Sequence, residues 1–222
     1  MNMIRLRALL AVLMLAMFAP LAQGADEGWK LEKDKDGIQV YTRAVEGWTI
    51  REIRGVTRVP ARLSSVVAVI DDVAAASELS DMVRETAIHQ RQTNTRYQLY
   101  SVIKMPWPLD DRDMLNQREI RQDSGTLVVT ISNVALANVV PPMADRVRIT
   151  RSRQQWLLTP EREGRVLVEM RSLTDPAGPI PSSAINAMSV GVPFGTLEKL
   201  RAMAQLPKYR QASLGFIKEP SR

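Results

Sequence analysis

The sequence predicts an α+β fold in which a curved antiparallel β-sheet wraps around one long C-terminal α-helix. Segments with the two-residue apolar period of half-buried strands recur from residue 37 to residue 174, and short turn signals join them. A sheet of that many strands curls and needs an apolar filling on its concave side. Residues 182–206 are long enough to provide it. The space left between helix and sheet is the predicted internal apolar tunnel.

The N-terminus has the pattern of a secretory signal peptide. Two arginines precede an unbroken apolar run over residues 8–18, and small residues close the pattern at Gly24. A membrane anchor is the alternative, but the run is well short of the roughly 20 apolar residues that cross a bilayer. We therefore expect a signal peptide over residues 1–24, one domain over residues 25–222, and a periplasmic location.

The charge pattern argues against a nucleic-acid partner. The chain has 30 Lys and Arg against 24 Asp and Glu, a formal net charge of +6. Its basic residues are scattered and alternate with acids, as in residues 118–121 and 161–165, which is typical of a solvated face. In an exported protein, a mild positive bias favours transient contact with anionic lipid head groups. We expect a monomer that touches membrane surfaces.

The first elements are two strands followed by two helices. Strands are predicted over residues 37–43 and 48–59, where Pro60 ends the second one. A helix over residues 61–70 comes next, and a second short helix over residues 74–82 follows it. The first helix has one apolar face, formed by Leu63, Val66, Val67 and Ile70.

The middle of the chain returns to strands. Turn signals at residues 92–94, 123–125 and 162–164 are spaced for antiparallel hairpins rather than crossovers. The result is a long meander. Its strands are predicted over residues 83–92, 95–105, 112–122, 126–136, 146–160 and 165–174.

The last element is the closing helix, which begins after Pro181 and extends to about Leu206, just before Pro207. Pro193 lies in its middle and removes one backbone hydrogen bond, so we expect a kink there. One side of the helix is apolar, and the opposite side is polar. The apolar side is formed by Ile185, Met188, Val192, Leu200, Met203 and Leu206.

Four motifs in this order resemble the START domains, the family of lipid-transfer modules related to steroidogenic acute regulatory protein. They are residues 36–43 (DGIQVYTR), 104–113 (KMPWPLDDRD), 156–160 (WLLTP) and 175–186 (DPAGPIPSSAIN), the last followed by GVP at 191–193. The resemblance implies a helix-grip fold with a lipid-sized tunnel and no cofactor. Members of the family carry sterols, phospholipids, ceramides or other apolar molecules. Residues 76–79 depart from the pattern, because many members have a tryptophan there.

The resemblance also points to two charged residues inside the tunnel. Arg118 stands where START proteins tend to place an interior arginine, and Glu85 resembles the family's interior acid. Charges in an apolar tunnel are costly unless paired, so we expect Glu85 and Arg118 to pair with each other and to meet a polar lipid head group. A structural salt bridge or two exposed side chains is the alternative, which the sequence leaves open because a one-residue register slip inverts the strand faces.

Apolar side chains from the sheet and the closing helix should complete the tunnel wall. Met188 and Val192 lie on the apolar side of the helix, and flexible methionine suits a pocket of variable shape. The tunnel volume depends on which strand residues point inward. Candidates are Leu99, Ile103, Leu115, Val128 and Met170.

One further motif predicts architecture rather than binding. Prolines on both sides of Trp107 fix the backbone, and Arg112 and Asp113 can hold the corner through charge-assisted hydrogen bonds. We therefore expect Pro106, Trp107, Pro108, Arg112 and Asp113 to be architectural rather than ligand-binding.

The chain lacks the usual catalytic signatures. It has no cysteine and a single histidine, His89, which alternates with exposed-looking polar residues, so neither a zinc site nor a Ser-His-Asp set is predicted. No glycine-rich phosphate loop precedes a helix, and we expect no cofactor and no metal. The leading hypothesis is non-enzymatic binding and transfer of a lipid. The alternatives are a cyclase-like or hydrolase-like enzyme using the same cavity, and an interaction protein that uses the groove for a partner.

Overall fold

A computed structural model describes residues 28–221, without the side chains of Ser182, Ser183, Asn186 and Ala187. The predicted signal peptide lies outside the described residues. The described chain forms one ten-stranded sheet with the order β1-β2-β3-β10-β9-β7-β6-β5-β4, and β8 pairs with β6. The strands are β1 Lys30–Lys35, β2 Ile38–Arg43, β3 Glu52–Val59, β4 Val83–Arg91, β5 Arg96–Ile103, β6 Arg112–Gln122, β7 Val129–Ala135, β8 Val147–Arg148, β9 Ser152–Glu161 and β10 Arg165–Thr174.

Hairpin connections explain most of this order, since β1 to β3 and β4 to β7 each run as antiparallel neighbours. The predicted α+β fold, a large antiparallel sheet with a long C-terminal helix, is confirmed. One predicted strand is wrong in its length. Residues 146–160 are divided between β8, which pairs in parallel with β6, and β9, which pairs with β7 and β10.

β1 is a strand that the sequence pattern did not predict. Its sequence, KLEKDK, is mostly charged and lacks apolar alternation. Such composition suits an edge strand, where one row of backbone groups faces solvent and charges discourage further pairing.

Two helices connect β3 to β4 across the concave side of the sheet. Helix α1, Leu63–Asp71, is nearly all buried, and its predicted apolar face is confirmed. The carboxylate of Glu219 near the C-terminus accepts hydrogen bonds from the backbone N–H groups of Leu63 and Ser64, at 3.1 and 2.8 Å. The second helix, α2, covers only Ala76–Leu79, because a 3₁₀ turn at Val73–Ala75 replaces its predicted start.

The closing helix, α3, covers Ser182–Met203 and continues through Pro193. Leu197 and Leu200 in its second half are fully buried. A Cβ atom at Gly55 on β3 would lie 2.8 Å from Cδ1 of Leu197, so glycine permits the helix to approach the sheet at this point. Leu206 does not belong to the buried stripe, since the helix ends before it and its side chain is 43 % exposed.

The space between helix and sheet is filled at one end and hollow at the other. The second half of α3 packs with β2, β3, β9, β10 and α1 in the main apolar core. A short helix, α4, covers Pro207–Arg210 and buries Tyr209 beside α1. Within residues 28–221, no helix is both long enough and apolar enough to cross a membrane.

Candidate functional site

A cavity of about 340 Å³ lies between the first half of α3 and the concave face of the sheet. Strand alternation explains its wall, because every second residue of β5, β6 and β9 faces inward. The apolar part of the wall contains Leu99, Ile103, Met114, Trp156, Met170 and Met188.

The structure places six of the nine residues predicted for the tunnel on the cavity wall. A role for them in ligand contact stays a prediction. The six are Leu99, Ile103, Arg118, Met170, Met188 and Val192. Leu115 alternates with Met114 and Asn116, which line the cavity, and therefore faces away; Val128 precedes β7 and is also outside the wall.

Glu85 is the third of these residues that lies off the cavity wall, and its predicted pairing with Arg118 is wrong. Its side chain is 60 % exposed, and its carboxylate lies 3.3 Å from Nη1 of Arg146. The register of β4 shifts between Val83 and Glu85. Such an irregularity breaks the alternation of faces, so Val83 lines the cavity whereas Glu85 points outward.

Arg118 instead pairs with groups at the end of α1 and on β7. Its Nε donates to Oδ1 of Asn133 at 2.9 Å, and its Nη1 donates to the carbonyl oxygen of Ile70 at 3.0 Å. The carboxylate of Asp71 lies 3.5 Å from the same Nη1. Arg118 is 9 % exposed, so these contacts hold a buried charge in a fixed position.

Asp71 also accepts a hydrogen bond from the hydroxyl of Tyr97. Burial raises the pKa of Asp71 above its ordinary value, although Tyr97 and Arg118 act in the opposite direction. Burial likewise raises the pKa of Tyr97 to about 12, so the phenol keeps its proton at neutral pH. In this cluster the Arg118 cation pairs with the Asp71 carboxylate, and the Tyr97 hydroxyl donates a hydrogen bond to the same carboxylate.

The corner before β6 is held as predicted by Arg112 and Asp113. Arg112 is 2 % exposed and donates to the carbonyl oxygens of Asp110, Pro176 and Ala177, which ties this corner to the segment before α3. Asp113 accepts from Arg148 at 2.7 and 2.8 Å. Burial raises the pKa of Asp113, but the hydrogen bonds from Arg148 and from the Tyr100 hydroxyl outweigh it and leave this pKa below its ordinary value.

The indole of Trp107 does not take part in the architecture of this corner, contrary to the prediction. Its side chain is 93 % exposed at the tip of the loop between β5 and β6. Arg112 and Asp113 hold the corner through hydrogen bonds, and the exposed indole adds little packing to it.

The pattern missed several polar residues at the site, among them Asn116 and Asn133 on the cavity wall and Asp71 beside Arg118. Asn116 shared the inward face of β6 with Arg118 and could have been found by counting alternate residues. Asp71 and Asn133 reach Arg118 only through tertiary packing of α1 and β7, and no local sequence pattern indicates that packing.

Comparisons with known proteins agree with this architecture. The family model of the START domain matches residues 11–209. A Pseudomonas aeruginosa protein of uncharacterized function is 30% identical over 197 residues, which is 88% of this chain and 96% of the relative. The phosphatidylcholine transfer protein of Mus musculus is 26% identical over 182 residues, which is 78% of this chain and 82% of that protein.

Solved structures give the same result. The crystal structure of a STAR-related lipid transfer protein from Xanthomonas axonopodis superposes with a TM-score of 0.74 at 34% identity, covering 81% of this chain and 100% of that one. A Streptomyces aromatase/cyclase superposes with a TM-score of 0.50 at 12% identity, covering 70% of this chain and 93% of its own, so the likeness concerns the fold alone.

Proposed function

Because the chain belongs to the START-domain family, we propose that it binds one lipid or other apolar molecule in its internal cavity and transfers it. The observation that supports this most directly is the cavity itself, whose wall presents mainly apolar surface. Ligand pockets generally measure about 300–1,000 Å³. At about 340 Å³, this cavity lies within that range.

The names of similar proteins support a carrier. The mouse relative and the Xanthomonas structure are both named as lipid transfer proteins. An enzyme acting on an apolar substrate in the same cavity has less support. Among the described residues, Asp72 is the one carboxylate on the cavity wall, and it already accepts hydrogen bonds from the Tyr209 hydroxyl and the backbone N–H of Ala75. We propose a non-enzymatic role.

The proposed location is the periplasm, on the pattern of an N-terminal signal peptide ending near Gly24. An exported carrier of this kind would act as a monomer, with no nucleic-acid partner and with membranes as donor and acceptor of its ligand.

Exposed apolar residues at one end of the sheet support membrane contact. Trp107 stands at the tip of the loop between β5 and β6, and Val139 and Met143 lie 50 % and 48 % exposed in the loop after β7. β6 begins where its antiparallel neighbour β7 ends, so the two loops share one end of the sheet. Indole rings favour the membrane interface, and Lys104 adds a positive charge beside it.

The binding function is tested by narrowing the cavity. Val192 lines the cavity, so Val192→Trp places an indole in it, whereas Glu198→Trp places the same group on the exposed side of the same helix. We expect uptake of a neutral fluorescent acyl probe from vesicles by the unmodified protein and by Glu198→Trp. Val192→Trp should take up little probe although it remains folded. Equal uptake by both variants would refute binding in this cavity.

Membrane contact is tested at Trp107. Trp107→Ser should weaken binding to anionic phospholipid vesicles by about tenfold or more, because it removes the largest exposed apolar side chain from the proposed contact. The melting temperature should not change, since the indole packs against little. Leu31→Ser, on the edge strand β1 and outside these loops, is the control. Similar vesicle binding by both variants in a co-sedimentation assay would argue against this contact.

A further inference from the structure

A groove of about 360 Å³ lies on the outer face of the sheet, the face turned away from α3. Its strand residues alternate with residues that line the cavity on the inner face, such as Ile53 on β3 and Asn133 on β7. Four of its residues are charged, and three of these four are cations. They are Arg43, Glu52, Arg153 and Arg171.

The carboxylate of Glu52 is shared between two of these arginines. Arg43 donates to it from Nε at 2.7 Å, and Nη2 of Arg153 lies 3.8 Å from its other oxygen. One carboxylate carries a single negative charge, so the two guanidinium groups keep a net positive charge. Arg153 donates no hydrogen bond to any of residues 28–221, and its side chain is 54 % exposed.

Arg171 presents further donors to the groove from the neighbouring strand. Its Nε donates to Glu169 at 2.6 Å, and the same carboxylate accepts a hydrogen bond from Arg54 at 2.7 Å. The Nη1 and Nη2 groups of Arg171 find no acceptor in the described part of the chain. Its cross-strand partner on β9 is Gln155, which adds a side-chain amide on the same face.

The strand register brings these donors together. Arg153 and Gln155 are two residues apart on β9 and therefore share the outer face, and Gln155 lies directly opposite Arg171. Arg153 and Arg171 are thus diagonal neighbours, whose Cβ atoms are typically roughly 7 Å apart. Two long cationic side chains at this spacing repel each other, and an anion between them would bind both.

We propose that the outer groove binds a doubly charged oxyanion of the phosphate monoester type, held by Arg153 and Arg171 with the amide of Gln155 as a third donor. A phosphate monoester carries about −1.5 to −2 charges at neutral pH and has three strong acceptor oxygens. The planar fork of a guanidinium fits two of these oxygens at once. This site is separate from the lipid cavity and does not depend on the proposed lipid binding.

The test measures phosphate binding by titration calorimetry at neutral pH and constant ionic strength. The unmodified protein should bind inorganic phosphate about tenfold more tightly than nitrate, a singly charged oxyanion. Arg153→Gln should weaken phosphate binding by about tenfold, the worth of one charge-assisted hydrogen bond. The variant should stay folded, because Arg153 is largely exposed and Glu52 keeps its hydrogen bond from Arg43.

Arg121→Gln is the matched control. Arg121 alternates with the inward-facing Ile120 on β6, so it lies on the same outer face, and it pairs with Glu119 at 2.8 Å outside the groove. Its removal changes the net charge of the protein by the same amount as Arg153→Gln. Phosphate affinity should not change in this variant.

Vesicles distinguish a lipid head group from a free phosphate. Phosphatidic acid ends in a phosphate monoester, whereas phosphatidylglycerol is a singly charged diester. If the groove takes head groups, the protein should prefer phosphatidic acid vesicles, and Arg153→Gln should lose that preference. If it takes only free phosphate, the two kinds of vesicle should bind equally, and phosphate affinity alone should depend on Arg153.

Three results would overturn the proposal. The first is equal affinity of the unmodified protein for phosphate and nitrate, and the second is equal phosphate affinity of Arg153→Gln and Arg121→Gln. The third is loss of phosphate binding in Val192→Trp, which would place the anion in the cavity. We expect Val192→Trp to bind phosphate as the unmodified protein does, even if lipid uptake fails. Arg171→Gln repeats the test from the neighbouring strand and should show a loss similar to that of Arg153→Gln.

Discussion

Arg118→Met is expected to lower the free energy of unfolding by about 3 kcal/mol at neutral pH, because it leaves the carboxylate of Asp71 without its cationic partner in a largely buried site. Methionine keeps much of the side-chain volume, so the loss reports charge and hydrogen bonding more than a cavity. The measurement is denaturant unfolding of the variant beside the parent.

The loss of unfolding free energy in Arg118→Met should depend on pH. Burial raises the pKa of Asp71 above its ordinary value of 3.8, so the folded state holds this proton more tightly than the unfolded state does. The contribution of Asp71 to the free energy of unfolding is therefore fully present below its pKa in the unfolded state, and it is lost as pH rises through its pKa in the folded state. Without Arg118 the folded pKa rises further. The difference between Arg118→Met and the parent should grow from acidic to neutral pH.

A double substitution tests whether Arg118 and Asp71 stabilise the fold as a pair. Arg118→Met combined with Asp71→Asn removes both charges, and the amide at position 71 can still accept the hydrogen bond of Tyr97. We expect most of the lost stability to return. Glu85→Gln is the control and should change stability little, because Glu85 is an exposed partner of Arg146. A double variant as unstable as Arg118→Met would contradict the assigned pair.

Leu197→Ala should lower the free energy of unfolding by about 3 kcal/mol, the typical cost of emptying a fully buried leucine site. Leu197 occupies the point at which α3 comes closest to β3, opposite Gly55, so little can move in to fill the space. Glu198→Ala, one position along the helix on its exposed side, should change stability by less than about 0.5 kcal/mol. Equal losses for the two variants would contradict the packing of α3 against the sheet.

The sequence predicted the fold because strand alternation and hairpin signals are local properties. The bounds of β6 and β10 agree with their predicted ranges to the residue. β1 was not predicted because its charged sequence has no alternation of apolar and polar residues, and a strand at the edge of a sheet does not require that alternation.

The site was less predictable because it depends on register and tertiary contact. One irregularity in β4 turned Glu85 away from the cavity. The actual acid, Asp71, is separated from Arg118 by 47 positions along the chain and meets it only when α1 packs over the sheet. Trp107 was misjudged for a related reason: flanking prolines fix a backbone but do not supply anything for the side chain to pack against.

The central claim, that the cavity holds one apolar molecule, is tested most directly by mass spectrometry of the intact, folded protein purified from its native source. We predict a population whose mass exceeds that of the polypeptide by one apolar molecule, and loss of that population in Val192→Trp but not in Glu198→Trp. An unmodified protein that carries nothing and takes up nothing from a lipid extract of the same source would contradict the claim, as would a ligand retained in full by Val192→Trp.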